Sequence, residues 1–63
     1  MSRFTLRLHR AGRPPEDEPL DAADVEEARE LARMRLLLTH DFSHIDLRRG
    51  DRQIEGFDRD PGD

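Results

Sequence analysis

Two stretches of this chain alternate between apolar and polar residues, and this period of two restricts them to extended β-structure. The first, RFTLRLHR, covers residues 3–10, and the second, HIDLRRGDRQIEGF, covers residues 44–57. The second stretch alternates on both sides of Gly50, and glycine readily adopts the positive φ that tight hairpin turns need. We therefore predict one strand and one β-hairpin. Six apolar residues of these strands are expected to face the core: Phe4, Leu6, Leu8, Ile45, Leu47 and Ile54.

The centre of the hairpin, Arg49-Gly50-Asp51, is also a known cell-adhesion tripeptide. We interpret it as the turn itself, with solvated charges on both sides of the glycine. A turn at residues 50–51 fits type II′ geometry, but it sets Asp46 opposite Glu55, and like charges directly opposite each other are unfavourable. We predict a turn at residues 49–50, which avoids that pair. The pairs it creates are Ile45 with Ile54, His44 with Glu55, and Phe42 with Phe57.

A helix is predicted between the two stretches. Asp24 followed by Glu27 is typical of a capping box, with Asp21 followed by Asp24 as a competing start. The helix should end near Thr39 or His40. One face collects apolar residues while acids and arginines cover the other. The apolar face contains Val25, Ala28, Leu31, Ala32, Leu36 and Leu38.

The remaining segment, EDEPL at residues 16–20, predicts a weak second strand. Pro19 has no N–H to donate, so this strand must either lie at a sheet edge or be poorly formed. The resulting order is β-β-α-β-β, an α+β fold with one amphipathic helix packed on a small, mainly antiparallel sheet of three to four strands. We predict one domain over residues 1–57 and a flexible acidic tail over residues 58–63.

EEARELARM, followed by HIDLRRGDRQIEGFDRDPGD, resembles a class of short uncharacterised bacterial proteins, a domain of unknown function. Those proteins have an alanine-rich helix, a hairpin with a glycine turn, and a polar tail. The resemblance implies the same β-β-α-β-β fold. This chain departs from the class at Pro14, Pro15 and Pro19. The resemblance implies no catalytic residue.

The small size of the chain predicts self-association. Only 16 of its 63 residues are Val, Ile, Leu, Met or Phe, and it has no cysteine for a disulfide. A core of this size is marginal, and a second copy would add buried apolar surface. Phe42 and Phe57 are expected to face outward, unless a bulge at Gly56 turns Phe57 inward. The predicted interaction surface of a homodimer consists of these two phenylalanines, the exposed Leu37, and Arg35, which lies inside the apolar arc of the helix.

Arg35 itself has two interpretations. Its aliphatic stem could cover apolar surface while the guanidinium reaches water. Alternatively, the guanidinium pairs with an acid from the loop or from a second subunit. The small core and the predicted interaction surface together favour a first function, a non-catalytic protein-interaction module that binds itself.

Charge suggests an alternative function. The first 13 residues carry four arginines and no acid, whereas residues 16–30 carry eight acids. Such segregation marks either two binding surfaces or two neighbouring segments that attract each other, and we favour the second. A nucleic-acid-associated regulator could use an arginine patch on the sheet and hairpin, although a net charge of −4 and the absence of Tyr and Trp oppose it. The patch would contain Arg7, Arg48, Arg49 and Arg52.

We expect neither catalysis nor a cofactor. Ser43 and His44 are neighbours on a predicted strand, so their side chains point to opposite faces. His40 and His44 have the spacing of a helical metal pair, but the helix should end there, and the sequence does not place His9 nearby. No metal site is predicted. No apolar run is long enough for a membrane span, and the arginine-bearing N-terminal stretch does not fit a secretory signal, so we expect a cytoplasmic protein.

Overall fold

In a computed structural model, which describes residues 2–59, the chain forms one helix and four strands. The helix packs on one face of a single antiparallel sheet, which confirms the predicted α+β fold. The second strand is fully formed. The elements are β1 (Ser2–His9), β2 (Glu16–Ala22), α1 (Val25–Leu38), β3 (His44–Arg49) and β4 (Arg52–Asp58).

The strand order in the sheet is β2-β1-β3-β4. Pro19 lies opposite Thr5 on β2, which is an edge strand, as a residue without an N–H requires. The pairing of β2 with β1 also brings the acidic segment against the basic one. Ion pairs join Arg7 to Asp17 at 3.0 Å and Arg3 to Asp21 at 3.3 Å. The charge segregation therefore reflects two neighbouring strands that attract each other.

The hairpin turns at residues 50–51, so the predicted turn at residues 49–50 is wrong. Arg49 pairs with Arg52, and Gly50 has a φ of 60°, whereas Asp51 does not have a positive φ. A single positive φ at the first turn position is the type II′ pattern. At the tip of the hairpin, the preference of glycine for the first position of a type II′ turn therefore decides the position of the turn.

The charge conflict is removed by a β-bulge instead. The register shifts by one residue between Leu47 and Arg48, so Asp46 pairs with Gly56 and not with Glu55. The same shift pairs Ile45 with Phe57. A bulge of this kind places two residues of one strand opposite one residue of the other.

The core lies between the helix and one face of the sheet. It consists of the apolar residues of β1 and β3, three helical residues at a spacing of four, and both phenylalanines that flank the hairpin. The buried apolar side chains are Phe4, Leu6, Leu8, Ala22, Ala28, Ala32, Leu36, Phe42, Ile45, Leu47 and Phe57, with Leu20, Val25 and Ile54 partly buried against them.

Two core predictions for the helix are wrong, because Leu31 and Leu38 are exposed. The buried stripe of α1 is narrow, with one buried residue per turn at Ala28, Ala32 and Leu36. Residues at the margin of the arc therefore remain in solvent.

The predicted exposure of Phe42 and Phe57 is also wrong, because both are buried. Phe57 is turned inward by the bulge, which lies nearer the hairpin tip than the alternative at Gly56. Phe42 precedes β3 in a loop, so the alternation of the strand does not apply to it.

The ordered domain extends beyond residue 57. Strand β4 includes Asp58, and the Arg59 guanidinium donates hydrogen bonds to the backbone carbonyls of Leu36, Phe42 and Thr39. These carbonyls lie at the end of the helix and in the following loop, where helical partners are missing. The first residue of the predicted tail, residue 58, therefore belongs to strand β4. Residues 60–63 of that tail lie outside the described residues.

The start of the helix follows the predicted capping box. The Asp24 carboxylate accepts a hydrogen bond from the Glu27 backbone N–H at 2.8 Å, and the Glu27 carboxylate accepts one from the Ala23 N–H at 2.9 Å. The helix ends at Leu38 with Thr39 as its C-cap.

Replacing Asp24 tests this cap. The substitution Asp24→Ala should lower the free energy of unfolding by about 1 kcal/mol in urea denaturation, because the Glu27 N–H in the first turn loses its acceptor. Asp24→Asn keeps an oxygen acceptor and should retain most of the stability. Equal losses in the two variants would contradict a capping role.

Candidate functional site

The face of the sheet turned away from the helix, termed the open face, carries the polar residues of the alternating apolar–polar strand sequences. Its residues follow from the register, since directly paired residues share a face. The open face contains Arg3, Thr5, Arg7 and His9 of β1, Asp17, Pro19 and Asp21 of β2, His44, Asp46 and Arg48 of β3, and Gln53, Gly56 and Asp58 of β4.

Three of these residues form a cluster at one end of the two central strands, termed the His–Asp cluster (His9, His44 and Asp46). His9 Nε2 lies 2.8 Å from Asp46 Oδ2, and His44 Nε2 lies 2.6 Å from Asp46 Oδ1. One carboxylate thus holds two imidazoles, whose ring centroids are 5.2 Å apart. The arrangement follows from the strands, because His9 pairs with His44 across β1 and β3, and Asp46 is two residues further along the same face.

A second layer of residues from β4 supports the cluster. Asp58 Oδ1 lies 2.5 Å from His44 Nδ1, and Gln53 Nε2 donates to Asp46 Oδ1 at 3.3 Å. The first contact fixes which nitrogen of His44 faces Asp46, and the second leaves the Asp46 carboxylate with three polar partners.

Gly56 provides the space for this arrangement. A Cβ at that position would lie 3.1 Å from His44 Cε1 and 3.2 Å from Asp46 Oδ1, closer than ordinary van der Waals contact. The backbone does not demand a glycine there, since Gly56 is not one of the glycines with positive φ. The bulge that pairs Gly56 with Asp46 therefore also makes room for the His44 ring.

The electrostatics of the cluster favour ionised partners. Asp46 is only 9% exposed. Burial is the largest influence on its pKa and acts to raise it, but the hydrogen bonds from His9 and His44 together outweigh burial and hold the pKa below its ordinary value. For His44, burial likewise opposes protonation, but Asp58 and Asp46 together raise the pKa of the imidazole. The cluster is therefore a partly buried, mutually satisfied set of titratable groups.

The His–Asp cluster differs from the histidine set considered in the sequence. His40 is exposed and lies in the loop after the helix, whereas His44 is joined by His9 and by Asp46, which sequence reasoning missed. Two features of the sequence could have indicated the cluster. His44 and Asp46 share one face of a predicted strand, and His9 lies on the polar face of another predicted strand. The missing information was that β1 and β3 are neighbours.

The four arginines of the predicted nucleic-acid patch lie on two faces. Arg7 and Arg48 are on the open face, where Arg7 pairs with Asp17. Arg49 and Arg52 pair with each other on the helix-facing side, and the Arg49 guanidinium lies 5.3 Å from the centroid of the Phe4 ring. The structure therefore does not bring the four together as one surface.

Of the predicted interaction residues, Arg35 forms an internal ion pair. Its Nε and Nη2 donate to the two carboxylate oxygens of Glu18, each at 3.0 Å, and its guanidinium lies 5.2 Å from the Phe42 ring centroid. This bidentate pair ties α1 to β2, while an ion pair of 2.8 Å between Arg29 and Glu55 ties it to β4. Arg35 thus forms an ion pair, as in the second interpretation, but its partner lies in strand β2 and not in the loop or in a second subunit.

Leu37 is exposed as predicted, and it is one of four large apolar residues that the helix leaves in solvent. Sequence reasoning missed the other three, because two had been assigned to the core. This helix surface consists of Leu31, Met34, Leu37 and Leu38.

Comparisons with family models, with curated proteins and with solved structures find no significant match to this chain. Within residues 2–59, no helix is both long enough and apolar enough to span a membrane.

The pair of Arg35 and Glu18 predicts a pH dependence of stability. Hydrogen bonds from Arg35 hold the pKa of Glu18 below its ordinary value of 4.5. A carboxylate with a lowered folded-state pKa contributes stability that is present above the ordinary value and is lost as the pH falls through the folded value. Glu18→Gln should therefore cost about 1 kcal/mol or less at pH 7, since the pair is partly exposed, and progressively less below pH 4.5.

Urea denaturation between pH 3 and pH 7 measures this difference. Glu30→Gln, exposed on the same helix beyond its first turn, is the control and should change stability little at either pH. A Glu18→Gln cost that grows as the pH falls would contradict the assignment.

Proposed function

We propose that this chain is a non-catalytic protein-interaction module that self-associates through the helix surface. The observation that carries the proposal is the exposure of Leu31, Met34, Leu37 and Leu38, which ranges from 39 to 73% within the last eight residues of one helix. Single exposed apolar residues are ordinary, but a contiguous set is typical of an interface. The cytoplasmic location stays a prediction from the sequence.

This surface replaces the interface expected from the sequence. Phe42 and Phe57 already fill the core, and Arg35 already has a partner, so of the predicted set Leu37 alone contributes. Leu31, Met34 and Leu38 follow the spacing of three and four residues that aligns side chains along one helix. Leu37 extends this stripe towards the polar side.

A second copy of the chain fits the surface by symmetry. In a two-fold dimer the same patch faces itself, so each apolar side chain is buried against an identical surface. An antiparallel crossing of the two helices also sets the acidic first half of one helix against the second half of the other. Glu30 and Arg33, both exposed beside Met34 and Leu37, supply opposite charges for the rim.

The polar side chains of the loop before β3 support binding over catalysis. Ser43 donates its hydroxyl to the His9 backbone carbonyl at 3.3 Å, so it is not aligned with an imidazole as a nucleophile would be. The division of the arginines between two faces favours a protein partner over nucleic acid, which needs a continuous basic surface.

Sedimentation equilibrium over about 10 μM to 1 mM protein tests the proposal, since an interface of a few apolar residues should be weak. The wild type should pass from monomer to dimer within this range. The double variant Met34→Gln/Leu38→Gln should remain monomeric, while its far-ultraviolet circular dichroism stays unchanged because both residues are exposed. A matched control, Arg13→Gln/Asp51→Asn, alters exposed residues in two loops outside the helix and should dimerise like the wild type.

A wild type that is monomeric at 1 mM would overturn the proposal. A double variant that dimerises as strongly as the wild type would overturn the assignment of the helix surface.

A further inference from the structure

We infer that the His–Asp cluster is a binding site for a divalent transition-metal ion, with Zn²⁺ the best fit, and that His9 Nε2, His44 Nε2 and one Asp46 carboxylate oxygen are its ligands. The inference is independent of self-association, since the cluster lies on the open face and the helix surface lies on the other side of the sheet.

The donor atoms are already gathered. One ligand atom from each of the three residues lies within 4.8 Å of the other two. Zinc binds imidazole nitrogen and carboxylate oxygen at about 2.0–2.2 Å, so tetrahedral ligands are roughly 3.4 Å apart. The donor atoms are therefore already close to the spacing that a zinc ion requires.

The donor types select the class of metal. Two imidazole nitrogens and one carboxylate oxygen suit Zn²⁺ and its transition-metal neighbours, whereas Mg²⁺ and Ca²⁺ prefer oxygen ligands alone. In the metal-free protein the imidazole nitrogens share protons with Asp46, at 2.8 and 2.6 Å. A bound metal would take the place of those protons, so binding should release protons to solvent.

The second layer has the arrangement that supports a histidine ligand. The Asp58 carboxylate lies 2.5 Å from His44 Nδ1, which orients the ring so that Nε2 faces Asp46 and the metal position. Carboxylates in this position orient the imidazole and increase its basicity as a ligand. Gln53, which donates to Asp46 Oδ1, can hold the carboxylate oxygen that the metal does not use.

The position of the cluster keeps the site rigid and accessible. The ligands stand on β1 and β3, the two central strands of the sheet, which limits their movement. The side chains of His9 and His44 are about one third exposed, so a fourth coordination position remains open to water. Gly56 gives the His44 ring its space, and any side chain there would meet the donor atoms.

The neighbouring charges permit a cation. Arg7 lies opposite Asp46 in the register and is the cation closest in sequence to His9 on that face, but its guanidinium is paired with Asp17 at 3.0 Å. Asp58 adds a negative charge beside His44. Arg48 lies two residues from Asp46 on the same face, and its guanidinium donates to the Asp51 backbone carbonyl at 3.1 Å. The carboxylates around the metal position therefore offset two arginines that already have partners.

Titration of the metal-stripped full chain with ZnCl₂ in a calorimeter at pH 7 tests the inference. We expect one Zn²⁺ per chain, proton release that varies the observed heat with the buffer, and a higher melting temperature with saturating zinc. MgCl₂ should produce no binding heat. Binding of two chains per zinc, or magnesium binding as tight as zinc binding, would overturn the site as described.

Four variants assign the ligands. His9→Gln and His44→Gln should each weaken zinc binding at least 10-fold, and Asp58→Asn should weaken it about 10-fold through the second layer. His40→Gln, which alters a histidine outside the cluster, should bind zinc like the wild type and so controls for the loss of any histidine. Melting of each zinc-free variant confirms that it is folded.

The inference fails if the wild type does not bind zinc, if the double variant His9→Gln/His44→Gln retains wild-type affinity, or if His40→Gln loses affinity as strongly as the cluster variants do.

Discussion

The one-residue register shift in the β3–β4 hairpin sets both faces of the sheet. Without it, the turn at residues 50–51 would continue a pairing that sets His44 opposite Phe57 and Asp46 opposite Glu55. With it, Phe57 pairs with Ile45 and is buried, and Gly56 pairs with Asp46. The bulge therefore adds an aromatic ring to a small core and, on the other side, opens the space that the His–Asp cluster occupies.

The fold could be predicted to the level of its elements because each element has a local cause. The period of two predicts the strands, Asp24 and Glu27 predict the start of the helix, and Pro19 predicts an edge strand. The register could not be predicted, because turn geometry and cross-strand charge favoured different alignments and the bulge satisfies both. Phe42 was misplaced because it lies in a loop, where no alternation constrains it.

The candidate site could not be predicted from the sequence, for a different reason. His9 and Asp46 are 37 residues apart, and their contact depends on β1 lying beside β3 within the sheet. The two proposed surfaces also share no residue. Self-association would use the helix, and metal binding would use the open face, so one event does not exclude the other. A narrow helical stripe built on Ala28 and Ala32 explains why apolar residues remain for an interface.

The central claim is that the bulge positions Phe57 in the core and Gly56 beneath the His44 ring. Nuclear Overhauser effects in the metal-free protein test this most directly. We predict cross-peaks between the Phe57 ring and the Ile45 methyl groups, and between the Gly56 Hα protons and the His44 Hε1 proton. Cross-peaks that instead join the Phe57 ring to the His44 ring would show an unbroken register and would contradict the account.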